Sequence, residues 1–173
     1  MSKLLIVIDV QNDFVNGSLG SNEAQAAIPA IKAKIKAYSD AGHKIIFTRD
    51  THGEDYLQTP EGIALPVVHC IKDTHGWQIY DNIDADVNVA DYVDKPNFGW
   101  QYWDDTFVNN GDFTEVEIIG LTTDICVISN ALILKALNPD VSITVDSACC
   151  AATTPQAHEA ALTVMRSCQI NVI

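Results

Sequence analysis

A cysteine that follows the polar turn Gly120-Leu121-Thr122-Thr123-Asp124, an aspartate at position 9 and a lysine at position 95 are the residues here best suited to covalent chemistry. In the first turn of a helix, exposed N–H groups and the macrodipole lower a thiol pKa, and a lysine nearby pushes the same way. Cys126 is therefore expected to be a nucleophile, with Asp9 taking the thiol proton and later returning it to a departing amine. Backbone N–H groups in the 120–126 turn would hold an oxyanion, so the chemistry is acyl transfer. Each residue has a plainer use on its own: an aspartate at a strand end caps a helix, a lysine is solvated, and a cysteine is a small buried apolar residue. Their joint placement favours the catalytic reading. Cys70, Cys149, Cys150 and Cys168 lack such partners and are read as packing residues.

Asp50 and His52, with His69 further on, offer the carboxylate and imidazole ligands that suit zinc or a similar divalent metal, and Glu61 could add a fourth. On spacing alone, hydrogen-bonded structural histidines explain the same residues, and His75 and Glu54 stand as unused candidates.

The elements that must position these groups are visible as apolar runs. Leu4 to Val10 is continuously apolar until Asp9, the pattern of a parallel strand buried on both faces. Further runs at Lys44 to Thr48, Asp91 to Val93, Val116 to Ile119, Val141 to Val145 and Ile170 to Ile173 bring the strands to six. Between them, Ile28, Ile31, Ile35 and Tyr38 share a helical face, with Pro29 early in the helix and Gly42 at its C-terminal cap. A second helix is predicted over Asp124 to Leu137, and a third over Pro155 to Arg166 with Thr154 as N-cap. Alternating strand and helix predicts an α/β fold, a single domain over 1–173 with an open parallel six-stranded sheet and helices on both faces. In such sheets ligands sit beyond the carboxyl ends of the strands, where Asp9, Asp50, His52, Lys95 and Cys126 all fall. Thr51 to Asp86, rich in His, Gly, Asp and Pro, is the expected site-building segment.

Composition agrees. The 173 residues suit one domain, and 47% apolar with 19% charged residues excludes a disordered chain. A net charge of −13 disfavours nucleic acid as a partner. No apolar run approaches the ~20 residues that span a bilayer. Five cysteines without paired spacing suggest reduced thiols in a soluble, non-exported, cytoplasmic protein.

The segments LLIVIDVQNDFVNGSLG, FTRDTH, LPVVHC, DKPNFGW, GLTTDICV and TPQAHEAALTVMRSCQINVI together resemble the isochorismatase-like cysteine hydrolases, particularly their nicotinamidase-like members, over nearly the whole chain. The resemblance implies a Rossmann-like three-layer fold, a catalytic Cys126, Asp9 and Lys95, and a non-proline cis peptide between Leu121 and Thr122. It also implies an oxyanion hole from the N–H groups of Thr122 and Cys126. It further implies a divalent metal, zinc foremost, on Asp50, His52, His69 and in some members a residue like Glu61, with no organic cofactor. In that pattern the metal holds a pyridine nitrogen and Phe14 packs on the ring; Phe98, Trp100 and Leu121 complete the candidate substrate contacts. Two segments depart from the pattern. Leu65-Pro66-Val67-Val68 lacks the aromatic residue common before the third ligand, and KPNFGW differs from the usual Ser- or Tyr-containing sequence, so Phe98 or Trp100 would supply the ring surface. Nicotinamide is the expected substrate; another small amide or carbamoyl compound, and a non-enzymatic binding or assembly protein, are the alternatives. Vinyl ether hydrolysis is disfavoured because the enzymes that perform it lack the cysteine. A homo-oligomer, dimer or tetramer, is expected.

Overall fold

Leu4, Leu5, Ile6, Val7 and Ile8 have no exposed surface, because their strand lies at the centre of the sheet with helices over both faces. In the computed structural model, which describes residues 2–87, 90–103 and 113–173, this strand, β1 (Ser2–Ile8), pairs in parallel with β2 (Lys44–Asp50) on one side and β4 (Phe113–Leu121) on the other. With β3 (Ala90–Lys95), β5 (Ser142–Ala151) and β6 (Asn171–Val172) the order is β3-β2-β1-β4-β5-β6. The chain reverses direction of travel between β1 and β4, which opens a crevice at their carboxyl ends.

Alternate residues of β1 feed two cores, as a period of two requires. Leu4, Ile6 and Ile8 join Ile118, Val127, Ala131 and Leu162 beneath α4 (Ile128–Leu137) and α5 (Pro155–Ser167). Leu5 and Val7 join Ile45 and Phe47 beneath Ile28, Ile31 and Ile35 of α2 (Asn22–Asp40). The short α1 (Asn12–Val15) carries Phe14, and α3 (Pro60–Ala64) carries Glu61.

Several boundaries differ from the sequence expectation. The helix α2 starts at an N-cap of Ser21, whose hydroxyl accepts from Ala24 N–H at 3.0 Å, so Pro29 lies in its interior rather than near its start. The strand β5 continues past the polar Asp146 to Ala151, because the Asp146 carboxylate is partnered by Lys34 at 2.9 Å. The helix predicted from Asp124 divides into a wide π-turn, Thr123–Val127, and α4. Gly120 has φ +121, and a Cβ there would lie 2.1 Å from the Ile8 carbonyl oxygen, so only glycine lets β4 pass so close to β1 before the turn. The Leu121–Thr122 peptide is cis, as the resemblance implies. Cys70, Cys149 and Cys150 are buried as expected, whereas Cys168, at the end of α5, is exposed and is not a packing residue. Among the described residues, no helix is long and apolar enough to cross a membrane.

Candidate active site

Three strand ends converge on one point. Asp9 follows β1 in a left-handed conformation, φ 47, which turns its carboxylate away from the strand direction. Lys95 is the last residue of β3 and the register partner of Asp50 in β2, so both side chains leave the same rim. The π-turn after β4 supplies Cys126. The Lys95 ammonium lies 2.5 Å from Asp9 Oδ2, 3.5 Å from Asp50 Oδ1 and 3.6 Å from the Cys126 sulfur, and it donates to the Asn97 carbonyl at 3.1 Å. Asp9 and Lys95 have no exposed surface and Cys126 is 4% exposed, so the cluster is shielded from bulk water.

Burial raises the Asp9 carboxyl above the ordinary carboxylate range, with Lys95 opposing it. Burial disfavours the Lys95 charge, but the Asp9 carboxylate foremost, with Asp50, outweighs it and holds the ammonium protonated. The Cys126 thiol is pushed well above the ordinary range, first by burial and then by the Asp9 charge, with Lys95 working against both. This corrects the expectation that helix and lysine lower the thiol pKa: Lys95 does pull it down, but desolvation exceeds that pull in so closed a site. The resting arrangement is a neutral thiol beside a base, with the lysine between.

Four residues gather on the other side of Lys95. Asp50 Oδ2 lies 2.9 Å from His52 Nε2 and 3.5 Å from His69 Nε2, and Glu61 Oε1 lies 3.7 and 3.9 Å from the same two nitrogens. All four donor atoms fall within 4.8 Å of one another. A zinc ion with ligand bonds of about 2.0–2.1 Å needs its donors roughly 3–4 Å apart, so the set fits. His69 Nδ1 meets the Val67 carbonyl at 2.8 Å, which orients Nε2 inward as a metal-ligating histidine requires. Burial tends to raise the Asp50 carboxyl, but bonding to His52 and His69 and the Lys95 charge outweigh it and leave it ionised well below the ordinary range. Glu61 is raised by burial and by Asp50. His75 is not in this cluster; it faces Asn12, with ring nitrogen and amide 3.4 Å apart.

Of the candidate substrate contacts, the Phe14 ring meets His69 edge-on at 5.6 Å and shares a core cluster with Leu121. Phe98 is 44% exposed, and Trp100, partly buried, packs on the core that contains Cys126. A cavity of about 370 Å³ between α2, β5 and α5, lined by Glu23, Cys150 and His158 among others, lies apart from Cys126.

Further residues hold the site without being singled out by the sequence reading. The Thr48 hydroxyl donates to Asp9 Oδ1 at 2.6 Å. Gln11, with no exposed surface, donates to the Asp50 and Trp77 carbonyls at 2.9 and 2.8 Å and accepts from Asp50 N–H at 2.7 Å. Asp13 accepts from Cys70 N–H at 2.8 Å, beside His69. The available signal was the polar run Gln11-Asn12-Asp13 directly after an apolar strand, a place where polar groups are buried only when bonded.

The comparisons with known proteins agree with this geometry. Residues 3–173 match the family model described as the Isochorismatase domain. A nicotinamidase of Saccharomyces cerevisiae is 25% identical, over 83% of this chain and 86% of its own. The crystal structure of a nicotinamidase/pyrazinamidase from Bacillus subtilis superposes with a TM-score of 0.87 at 27% identity, covering 99% of both chains. A Pyrococcus horikoshii pyrazinamidase crystallised in complex with zinc gives 0.83 at 26% identity, over 100% of this chain and 99% of that one. With a family model spanning the sheet from β1 to β6 and the same architecture in these solved structures, the chain belongs to the isochorismatase family.

Proposed function

We propose that the protein is a cysteine-dependent amidohydrolase that converts nicotinamide and water to nicotinate and ammonia through a thioester on Cys126. The observation that carries this reading is the Lys95 ammonium seated between the Asp9 carboxylate and the Cys126 sulfur, with its third neighbour, Asp50, belonging to the metal-ligand set. Asp9 takes the thiol proton as the sulfur attacks the carboxamide carbon, so no free thiolate is needed at rest. The N–H groups of Thr122 and Cys126 receive the oxyanion. When the tetrahedral species collapses, the carbon–nitrogen bond breaks and Asp9 returns the proton to the amine, which leaves as ammonia. Asp9 then takes a proton from water as the water attacks the thioester carbon; the carbon–sulfur bond breaks, Cys126 regains its proton, and nicotinate leaves. Lys95 keeps Asp9 ionised between the two half-reactions and stabilises the developing charge on sulfur.

Asp50, His52, His69 and Glu61 would hold a divalent metal, zinc foremost, which when bound supplies a Lewis acid that orients the ring nitrogen of the substrate. Phe14 offers the ring an edge beside His69. The nicotinamidase and pyrazinamidase relatives support this substrate class. The aliphatic stretch Leu65-Pro66-Val67-Val68 favours the second reading, another small amide or carbamoyl compound handled by the same residues. The reading includes self-association, supported by Leu57, Ile63, Leu65 and Val68, which expose apolar side chains on the segment after β2. Ammonia release from nicotinamide, with and without zinc, tests the function: robust zinc-dependent release is expected, and none from nicotinamide but release from other amides would move the second reading ahead.

A further inference from the structure

Asn130 has no exposed surface and sits one helical turn after Cys126, among Ile128, Ala131, Leu132, Ile133 and Leu134. A primary amide in such surroundings is costly unless every polar atom is bonded. Here each is. Its Oδ1 accepts from Trp100 N–H at 2.9 Å and from the Trp103 indole N–H at 3.0 Å. Its Nδ2 donates to the Phe98 carbonyl at 3.1 Å and to the Cys126 carbonyl at 2.8 Å. The two donors and two carbonyls around it leave only one orientation of the amide.

Three of these four bonds go to one short segment, and two go to the peptide groups either side of Gly99. A Cβ at Gly99 would lie 2.4 Å from Ile133 Cδ1, the end of that side chain, and 3.5 Å from Ser129 Cβ, so the segment rests directly on α4. Two residues upstream of Gly99, the Asn97 carbonyl accepts at 3.1 Å from Lys95 Nζ, which itself lies 3.6 Å from the Cys126 sulfur. The segment from Asn97 to Trp103 thus bridges the base–lysine end of the site and the nucleophile turn, and it carries Phe98 and Trp100.

We propose that Asn130 is a specificity-determining positioning residue: it latches this segment onto the nucleophile turn and thereby limits the size of group that can approach the Cys126 sulfur. It rests on the reading of Cys126 as nucleophile. The strand β3 and the helix α4 are held independently by the sheet and the core, so releasing the latch displaces Phe98 and Trp100 while leaving Asp9, Lys95 and Cys126 in place. Asn130→Ser isolates this effect. Its hydroxyl can still bond back to the Cys126 carbonyl one turn earlier, but it cannot span to the peptide groups of Phe98 and Trp100.

The test compares the rates at which Cys126 reacts with iodoacetamide and with N-benzyl iodoacetamide, which share a reacting group and differ in bulk, Cys126 being followed by peptide mass because Cys168 is exposed. In Asn130→Ser the ratio of bulky to small reagent should rise about fivefold, as expected from the loss of one net hydrogen bond's restraint. The iodoacetamide rate alone should stay within about twofold of wild type. Gly99→Val, whose branched side chain meets both Ile133 and Ser129 of α4, should push the segment off α4 with Asn130 intact and move the ratio the same way, and it serves if the Asn130 variant does not fold. An unchanged ratio in either folded variant, or both rates rising together, overturns the proposal. Ammonia release from nicotinamide by wild type is measured alongside: its absence with a shifted ratio would remove the nicotinamide reading and leave the latch standing, and its presence with an unchanged ratio would do the reverse.

Discussion

Replacing Lys95 with methionine removes the cation from a pair that is 2.5 Å apart and has no exposed surface on either partner. At an effective dielectric of 20 the gross attraction at this distance is about 7 kcal/mol, most of it spent against the desolvation of both ions. The measurable loss is the burial of Asp9 without a counter-ion, about 3–5 kcal/mol. For a chain of this size that lowers the melting temperature by about 6–20 °C. The deficit must depend on pH in a defined sense. Burial already raises the Asp9 carboxyl above its ordinary value, and Lys95 is the chief influence opposing it, so the variant raises it further. A carboxyl whose folded pKa exceeds its unfolded one binds more protons when folded, so its stability contribution is present at low pH and lost as pH rises through the folded value. The deficit of Lys95→Met should therefore be largest at pH 7 and shrink towards pH 5, approaching the ordinary carboxylate value of about 4. Urea unfolding of wild type, Lys95→Met and Lys95→Met/Asp9→Asn at both pH values reads this directly, the double variant recovering much of the loss because the orphaned charge is gone. A deficit below about 1 kcal/mol, a deficit equal at the two pH values, or no recovery in the double variant would refute the buried ion pair as described.

Cys126→Ala should abolish amide turnover while melting within a few degrees of wild type, since the thiolate is irreplaceable but its side chain is small; substantial residual activity would exclude the thioester. Asp9→Asn should lower turnover by about 10²–10⁴, because an amide cannot carry the proton from thiol to leaving amine, and steady-state kinetics on the folded variant decide it. His52→Ala should abolish stoichiometric zinc binding in elemental analysis while iodoacetamide still modifies Cys126 at nearly the normal rate; retained zinc would place the metal on other residues. Gly120→Ala should prevent soluble folding, since its Cβ would meet the Ile8 backbone within 2.1 Å, and a well-folded variant would show that the β1–β4 approach is looser than described.

What the sequence determined by itself was the architecture and which polar side chains gather at its rim. Strands buried on both faces must be apolar throughout, so β1, β2 and β4 were legible as runs, and chemistry at their carboxyl ends put Asp9, Asp50 and Cys126 on one rim. The motifs pointed to Asp50, His52, Glu61 and His69 as candidate metal ligands, which spacing alone left open. Tertiary structure decided what depends on distant neighbours. Thr48 and Gln11 bond Asp9 and Asp50 across 39 residues, and Asn130 reaches Phe98 across 32, separations at which no periodicity registers a contact. The length of β5 was hidden because Asp146 reads as a strand end until Lys34 is seen beside it. The direction of the Cys126 thiol shift was misread from local cues for the same reason. A helix start and a lysine are visible in sequence, but the burial that outweighs them is a sum over every element packed around the sulfur, and only the folded chain performs it.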